Sequence, residues 1–279
     1  MSGVIVFGRG FMGTRLARDL RGAELVPTDI TDRDAIRALL TEKRPRAVVN
    51  AAGKTGRPNV DWCETHRAET AHSNVLGPLV LAEECERAGA YMLHLASGCI
   101  FYGPSPTAGG WRETDHANPS AFYSRCKYAA DLALGSMEHV GIARLRMPID
   151  GTPGPRNLIT KLAAYPEVVD VENSVTVVED LVRVVEQMIE VRAAGIHHAT
   201  NPGLMKHRDL LRLYRELVDP AHASVLIDEA ELVRRGLASK ARSNCELADT
   251  RLAALGIRMR HIDEALRDAM VQYAHAVRG

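Results

Sequence analysis

The sequence predicts an α/β fold, a doubly wound parallel sheet with a small C-terminal α/β lobe. Three observations predict it. Short apolar runs rich in β-branched residues recur at Gly3 to Phe7, Ala47 to Asn50 and Tyr91 to Ala96, as strands covered on both faces require. Helical spacing of apolar residues follows the first of them, at Met12, Leu16, Ala17 and Leu20. Between strand and helix lies Gly8-Arg9-Gly10-Phe11-Met12-Gly13, a GxGxxG turn. The 279 residues suit one dinucleotide-binding domain over 1–150, rejoined by 172–198, and a substrate-binding lobe over 151–171 and 199–279.

In the first turn the glycines permit a tight bend, close approach of the backbone to a pyrophosphate and close helix packing, with the helix N-terminal amides facing the anion. Gly8, Arg9, Gly10, Phe11, Met12 and Gly13 are therefore candidate cofactor-binding residues. The second strand is poorly marked, because Glu24-Leu25-Val26 is brief and ends at Pro27, with no clear ribose-binding acid after it. Asp29 and Ile30 lead into Thr31-Asp32-Arg33-Asp34, a variant of the capping box that predicts a helix through Leu40. At the end of such a strand Asp29 and Ile30 are placed to hold an adenine; a strand-end Asp that only starts a turn is the competing reading. Arg9 suits a 2′-phosphate, which favours NADPH over NADH, and an exposed loop arginine is its alternative.

The third run ends in Asn50-Ala51-Ala52-Gly53, small residues where a cofactor passes closely. A polar loop from Lys54 to Glu64 then enters a helix that continues, with a break, to about Ala88. Within it Asn74 sits among apolar neighbours, as a helix-packing hydrogen bond or as a site residue. Tyr91 to Ala96 reads as the central strand, and Ser97-Gly98-Cys99-Ile100-Phe101 follows at its carboxyl end, where parallel sheets bind ligands. After a Gly/Pro-rich loop, Gly103 to Pro119 with Trp111, a helix begins at Ala121. Tyr123 and Lys127 lie four apart on one face of it, the spacing that lets an ammonium lower a phenol's proton affinity while the phenol offers a proton to a reacting oxygen.

Further on, Ala143 to Met147 reads as a strand, Pro148 to Pro155 as irregular, and Arg156-Asn157 as the start of a helix carrying Lys161. A strand-like Val168 to Val171, a helix from Val178 to Val191 and a strand at Ile196 to Ala199 come next. Thr200-Asn201-Pro202-Gly203, a helix from Lys206 to Val218 and Arg242-Ser243-Asn244 are assigned to the smaller lobe, whose polar turns and Arg242 suit a nucleotide diphosphate; a solvated arginine is the alternative. The final helix, Ile262 to Val277, is amphipathic and packs on the body or on a second subunit, so a homodimer is compatible with it.

Composition narrows the class. Lys plus Arg and Asp plus Glu both total 35, so no global field draws the chain to nucleic acid or to an anionic membrane. The five cysteines (Cys63, Cys85, Cys99, Cys126 and Cys245) are odd in number and lack paired CxxC spacing, against a disulfide framework or a zinc site. Met1-Ser2-Gly3 runs straight into an apolar strand and no apolar run is long enough to span a bilayer. An unexported, cytoplasmic protein without a metal is the expectation.

With the glycine turn, Ser97, Tyr123 and Lys127 in hand, the chain resembles the extended short-chain dehydrogenase/reductases along nearly its whole length. Within them it is similar to the 4-dehydrorhamnose reductases, and most like the bifunctional 3,5-epimerase/4-reductases that convert UDP-4-keto-6-deoxyglucose to UDP-rhamnose. The stretches that carry the resemblance are Asn50 to Gly53, Thr55 to Glu64, Gly98-Cys99-Ile100-Phe101, Phe122-Tyr123-Ser124, Arg146-Met147-Pro148-Ile149, Pro155-Arg156-Asn157, Thr200 to Gly203 and Arg242-Ser243-Asn244.

The resemblance implies that Ser97, Tyr123 and Lys127 are the reductase triad, that Tyr123 and Lys127 also bind the cofactor, Lys127 at the nicotinamide ribose, and that Cys99 and Lys161 are the epimerising pair. It implies substrate contacts from Thr55, Gly56, Arg57, Asn74, Ser97, Gly98, Cys99, Arg156, Asn157, Asn201 and Arg242. Simple 4-reductases of the group tend to carry Tyr where this chain has Cys99, and the family usually shows GxxGxxG, one residue longer than the turn here. In a 4-keto-6-deoxy sugar, C3 and C5 flank the ketone, so their protons are removable, and a thiol with a reference pKa of about 8.5 suits that exchange. The expected activity is conversion of an NDP-4-keto-6-deoxyhexose, UDP- or dTDP-linked, to an NDP-6-deoxy-L-hexose with NADPH or NADH. The 4-keto substrate would come from a separate 4,6-dehydratase. The alternatives are a monofunctional 4-reductase and a non-catalytic, NADP-binding regulatory subunit of the same fold.

Overall fold

The computed structural model describes residues 3–56, 60–236 and 243–279. In chain order its elements begin with β1 (Val4–Phe7), α1 (Phe11–Asp19), β2 (Ala23–Val26), α2 (Arg33–Lys43) and β3 (Ala47–Asn50). Short helices α3 (Trp62–Thr65) and α4 (Arg67–Ala71) lead through a π-helical stretch, His72–Leu76, into α5 (Gly77–Arg87). Then come β4 (Tyr91–Ser97), α6 (Phe122–Leu134), β5 (Val140–Leu145), α7 (Leu158–Ala164), β6 (Glu167–Val169), β7 (Glu172–Asn173), α8 (Val178–Val191) and β8 (Gly195–His198). The chain closes with β9 (Met205–Lys206), α9 (His207–Leu217), β10 (Val225–Ile227), α10 (Glu229–Arg234), α11 (Arg251–Ala254) and α12 (Ile262–Arg278).

Six strands form one sheet in the order β2-β1-β3-β4-β5-β8, with β1 parallel to β2 and β3, and β3 parallel to β4. The order reverses on either side of β1, as in a doubly wound Rossmann-like sheet. Every residue of β1, β3 and β4 is buried, which explains why these strands read as continuous apolar runs and why β2, with only Val26 buried, is weakly marked. Asp32 caps α2, its side chain accepting from the Ala35 amide. The break expected before Ala88 falls at His66, between α3 and α4.

The chain folds as two compact units: Met1–Ile100, Ala117–Arg144 and Val185–His197 in the first, and Phe101–His116, Leu145–Val184 and His198–Gly279 in the second. The division falls inside α8; relative to the expected one, 101–116, 145–150, 172–184 and His198 fall with the second unit. In the loop 101–116, Trp111 donates its amide to Glu246 O at 2.9 Å, accepts from the Ala248 amide and stacks on Phe101, all within that unit. The first unit's core joins the strands to α2, α5 and α6 through residues such as Phe7, Ile36, Leu81, Met92 and Leu134. The second unit has its own core, where Ile159, Val175, Leu210, Leu266 and Met270 join α7, α9 and α12. It also holds two small sheets, β10-β6 and β7-β9.

The strand expected at Ala143 to Met147 lies earlier, at Val140–Leu145. Met147 takes a positive φ of 43°, which ends extended structure. Similarly β6 spans Glu167–Val169 rather than 168–171 and β8 Gly195–His198 rather than 196–199. Among the described residues no helix is long and apolar enough to cross a membrane.

Candidate active site

The glycine turn is built by close approach. Gly8 has φ +101° and a Cβ there would lie 2.4 Å from the Ala52 nitrogen, so only glycine fits beneath the end of β3. A Cβ at Gly13 would lie 1.7 Å from Gly8 O, whereas one at Gly10 meets nothing within 4 Å. Gly10 is the N-cap of α1, which has neither a side-chain cap nor an acidic residue in its first turn. The first turn of α1 thus has no side chain to meet its amides, as a pyrophosphate cradle requires. Arg9 is exposed beside them, and Phe11 and Met12 begin the helix.

Asp29 does start a turn: its Oδ1 accepts from the Thr31 amide at 2.9 Å and the Thr31 hydroxyl at 2.8 Å, and these bonds hold its carboxyl below the usual range. The Ile30 side chain is buried in the core against Gly77, where a Cβ would come within 2.6 Å of Ile30 Cδ1. At the end of β3, Asn50 Oδ1 accepts from the Ala52 amide, and the Ala51 amide donates to Phe7 O. Gly53 passes the side chain of Asn74, whose amide clamps the chain: it accepts from the Lys54 N–H and donates to Lys54 O and Thr70 O, both at 2.9 Å. Asn74 therefore holds the loop that carries Thr55 and Gly56. Arg57 lies outside the described residues.

The end of β4 and the start of α6 meet in the same unit. Ser97 Oγ accepts from the Cys99 amide at 3.1 Å and hydrogen-bonds Tyr123. Gly98 and Cys99 lie on a single 3-10 turn; Gly98 is buried, Cys99 is partly exposed, and Cys99 O accepts from the Ser124 hydroxyl at 2.8 Å. Burial, reinforced by Cys99 and Cys63, pushes the Tyr123 phenol well above its usual value despite the Ser97 bond, so Tyr123 holds its proton at neutral pH. That is the form a proton donor requires.

Lys127 is buried. Its Nζ lies 3.1 Å from His94 Nε2 and donates to Leu95 O at 3.0 Å. Burial pushes it down to about 8, opposed by Asp131 one turn further along α6. Asp131 is itself buried and ion-paired to Arg144 of β5 at 2.8 Å; burial raises its carboxyl and Arg144 lowers it. His94, fully buried, is held well below the ordinary histidine range, first by burial and then by Lys127.

In the second unit, Lys161 on α7 is half-buried, and burial followed by Arg156 lowers its proton affinity. Asn157, expected among substrate contacts, is wholly buried and caps α7. It accepts from the Ile159 amide at 3.1 Å and donates to Asp150 O and Thr152 O. Asn201 is likewise committed, accepting from the Val177 amide at 2.7 Å and donating to Asp180 and to Arg260 O. Both amides pin loops, because buried polar groups take whichever partners the fold supplies. Arg242 lies outside the described residues, while its neighbour Ser243 donates to Phe101 O and accepts from the buried Arg146.

Sequence reasoning passed over His94, Asp131 and Arg144. The available signal was a histidine inside an otherwise apolar run, Met92-Leu93-His94-Leu95, since a buried strand tolerates such a residue only with partners.

Residues 1–274 match the family described as RmlD substrate binding domain. The chain is 38% identical over 246 residues to a bifunctional dTDP-4-dehydrorhamnose 3,5-epimerase/dTDP-4-dehydrorhamnose reductase of Arabidopsis thaliana, covering 85% of this chain and 80% of that protein. A trifunctional UDP-glucose 4,6-dehydratase/UDP-4-keto-6-deoxy-D-glucose 3,5-epimerase/UDP-4-keto-L-rhamnose-reductase of the same plant is 36% identical over 85% of this chain, a match that spans 36% of that longer protein. Among solved structures, the UDP-rhamnose synthase of Acanthamoeba polyphaga mimivirus superposes with a TM-score of 0.89 at 26% identity, covering 97% of this chain and 99% of the other. A dTDP-4-dehydrorhamnose reductase from Bacillus anthracis, solved with NADP, shares the fold with a TM-score of 0.81 at 19% identity over 97% of this chain and 98% of that one.

Proposed function

The chain belongs to the RmlD substrate binding domain family, and we propose that it is an NADPH-dependent nucleotide-sugar 3,5-epimerase/4-reductase acting on an NDP-4-keto-6-deoxyhexose. The observation that carries this reading is the meeting of Ser97, Cys99 and Tyr123 at the carboxyl end of β4, in the same unit as the glycine turn. A plain reductase needs Ser97, Tyr123 and Lys127; the partly exposed thiol of Cys99, one short turn from Ser97, is the additional group that proton exchange beside the ketone requires.

The Gly8–Gly13 cradle and the small residues Ala51, Ala52 and Gly53 fit a dinucleotide, with the pyrophosphate on the α1 amides. NADPH bound there supplies a hydride to C4 of the sugar. Tyr123, protonated, gives its proton to the C4 oxygen. Ser97 donates to the same oxygen and orients it. Lys127 follows Tyr123 by one helical turn, on the same face of α6, where its ammonium favours loss of the phenol proton. Before reduction, Cys99 takes and returns protons at C3 and C5. Lys161 is assigned to the same exchange, on the strength of its lowered proton affinity and its place after Pro155-Arg156-Asn157. A 4,6-dehydratase activity supplies the 4-keto sugar. The five free cysteines suit the reducing cytoplasm.

Incubation with NADPH and UDP-4-keto-6-deoxyglucose in deuterated water tests the reading. Cofactor oxidation with deuterium at both C3 and C5 is expected, with the dTDP sugar as second substrate. Oxidation without deuterium reduces the protein to a 4-reductase, and bound NADPH without oxidation on either sugar overturns the enzyme reading. Cys99→Ala should lose the exchange while still reducing the already epimerised 4-keto sugar.

A further inference from the structure

Behind Lys127 runs a chain of buried side chains, and the reaction above gives no part to two of them, Asn50 and His94. Asn50 and His94 are partners in the β3/β4 register, which puts their side chains on one face of the sheet. The Ala52 amide, which can only donate, meets Asn50 Oδ1 at 3.0 Å. This orients the Asn50 amide, so the group facing His94 Nδ1 at 3.0 Å is the Nδ2 donor and Nδ1 is the acceptor. A neutral imidazole that accepts at Nδ1 carries its hydrogen on Nε2. That Nε2–H points at Lys127 Nζ, 3.1 Å away. An ammonium has three donors and no acceptor, so the Nε2–H meets the lone pair of an uncharged amine. The arrangement is that of neutral Lys127, which still donates to Leu95 O.

Charging Lys127 reverses the chain. Nε2 must then accept, the imidazole hydrogen must sit on Nδ1, and Asn50 must turn its Oδ1 toward His94. Nδ2 is left against the Ala52 N–H. We propose that Asn50 and His94 form a tautomeric relay that couples the charge of Lys127 to the hydrogen bond on the Ala52 amide, and that both are positioning residues for the reduction. The imidazole is neutral in both states. Its one hydrogen is on Nε2 when Lys127 carries two hydrogens and on Nδ1 when Lys127 carries three, so passing from the first state to the second takes up one proton from solvent.

Electrostatics permit the exchange. Burial keeps imidazolium from competing, and Lys127 changes charge at about 8. Asp131, on the same helix, favours the charged amine, and its own charge is met by Arg144 of β5. Tyr123, one turn back, stays neutral, kept so by burial and by the nearby Cys99. Because Ala52 lies in the proposed dinucleotide cradle, any ligand that takes the Ala52 N–H releases Asn50 Oδ1 for His94 and favours the charged lysine; by linkage, charging Lys127 favours that ligand. The relay stands on the geometry of the first unit, whereas its effect on turnover rests on the reductase reading.

The direct test is nitrogen-proton NMR on protein labelled with ¹⁵N-histidine, taken from about pH 6 to about pH 10 across the Lys127 midpoint. His94 should stay neutral and pass from the Nδ1–H to the Nε2–H pattern at about 8, where Lys127 discharges. One tautomer throughout, or imidazolium with an ordinary histidine midpoint, overturns the relay. Asn50→Asp supplies acceptors to both the Ala52 N–H and a His94 Nδ1–H. It should hold the Nδ1–H tautomer throughout and move the alkaline limb of NADPH oxidation up by at least about one pH unit, tenfold in proton concentration. His94→Gln can turn an oxygen to Lys127 and should shift the limb the same way. Unmoved limbs in variants that still reduce overturn the positioning role. Failure of the wild type to reduce any keto sugar sinks the reductase reading alone, since the NMR result decides the relay.

Discussion

Glu64 Oε1 accepts the backbone N–H of Phe122 at 2.8 Å. A carboxylate from the short helix α3 thereby closes the N-terminus of α6, which has no side-chain cap from its own Ala121. Tyr123 is the next residue, so this bond fixes where the phenol starts. An anion at a helix N-terminus also meets the helix dipole favourably.

Glu64→Ala should cost about 1 kcal/mol of stability, as loss of a cap does. It should lower kcat for reduction more than it weakens NADPH binding, because the cap serves α6 and not the glycine turn. Denaturant titration and steady-state kinetics measure both, and Glu64→Gln, which keeps the acceptor, should recover most of the loss. An alanine variant with unchanged kcat would refute the link between this cap and Tyr123.

The two glycines of the first turn should separate folding from binding. Gly13→Ala places a Cβ on Gly8 O and should destabilise the first unit by about 1–3 kcal/mol, the usual cost of overpacking. Gly10→Ala meets open space in the protein and should melt like the wild type, yet lose most of the rise in Tm that NADPH produces. Melting curves with and without NADPH distinguish them; an undiminished rise in Gly10→Ala would remove the pyrophosphate from the α1 amides.

Lys127 makes stability depend on alkaline pH. Its folded pKa of about 8 lies below the reference value of 10.5, so between these values the unfolded chain binds more protons and stability rises with pH. The penalty of burying the charge is complete below 8 and is lifted, on the order of a few kcal/mol, by 10.5. Lys127→Met should flatten that rise. The difference between the two stability curves over this window is the measurement, and parallel curves would show that Lys127 keeps an ordinary pKa.

Asp131→Asn should be costly, since it leaves Arg144 charged and about 1% exposed without its partner. About 3–5 kcal/mol is the usual loss for breaking one side of a buried pair. It also removes the charge that favours protonated Lys127, so the alkaline limb of reduction should move to lower pH. A shift upward would mean that Asp131 does not act on Lys127 through charge.

Much of the first unit was legible in the sequence. β1, β3 and β4 announced themselves as apolar runs, because strands covered on both faces admit little else, and α8, shared by the two units, falls at Val178–Val191 as expected. Less was legible at loop level. Asn74 read equally as a ligand contact or a packing amide, and Asn157 and Asn201 as substrate contacts; each is clamped by backbone groups of its own unit. The Gly103 to Pro119 loop gave no sign of the partners that Trp111 takes near Glu246 and Ala248.

By itself the sequence determined what depends on near neighbours: the strand-turn-helix around Gly8, Gly10 and Gly13, the one-turn spacing of Tyr123 and Lys127, and the placement of Ser97 and Cys99 at the carboxyl end of a buried strand. Only the tertiary structure decided that Asn50 would meet His94, that His94 would meet Lys127, and that Glu64 would cap the helix of Tyr123. The reason is physical. Periodicity records which face of an element is buried, whereas the partner of a buried polar atom is chosen by strand register and helix packing between residues far apart in the chain.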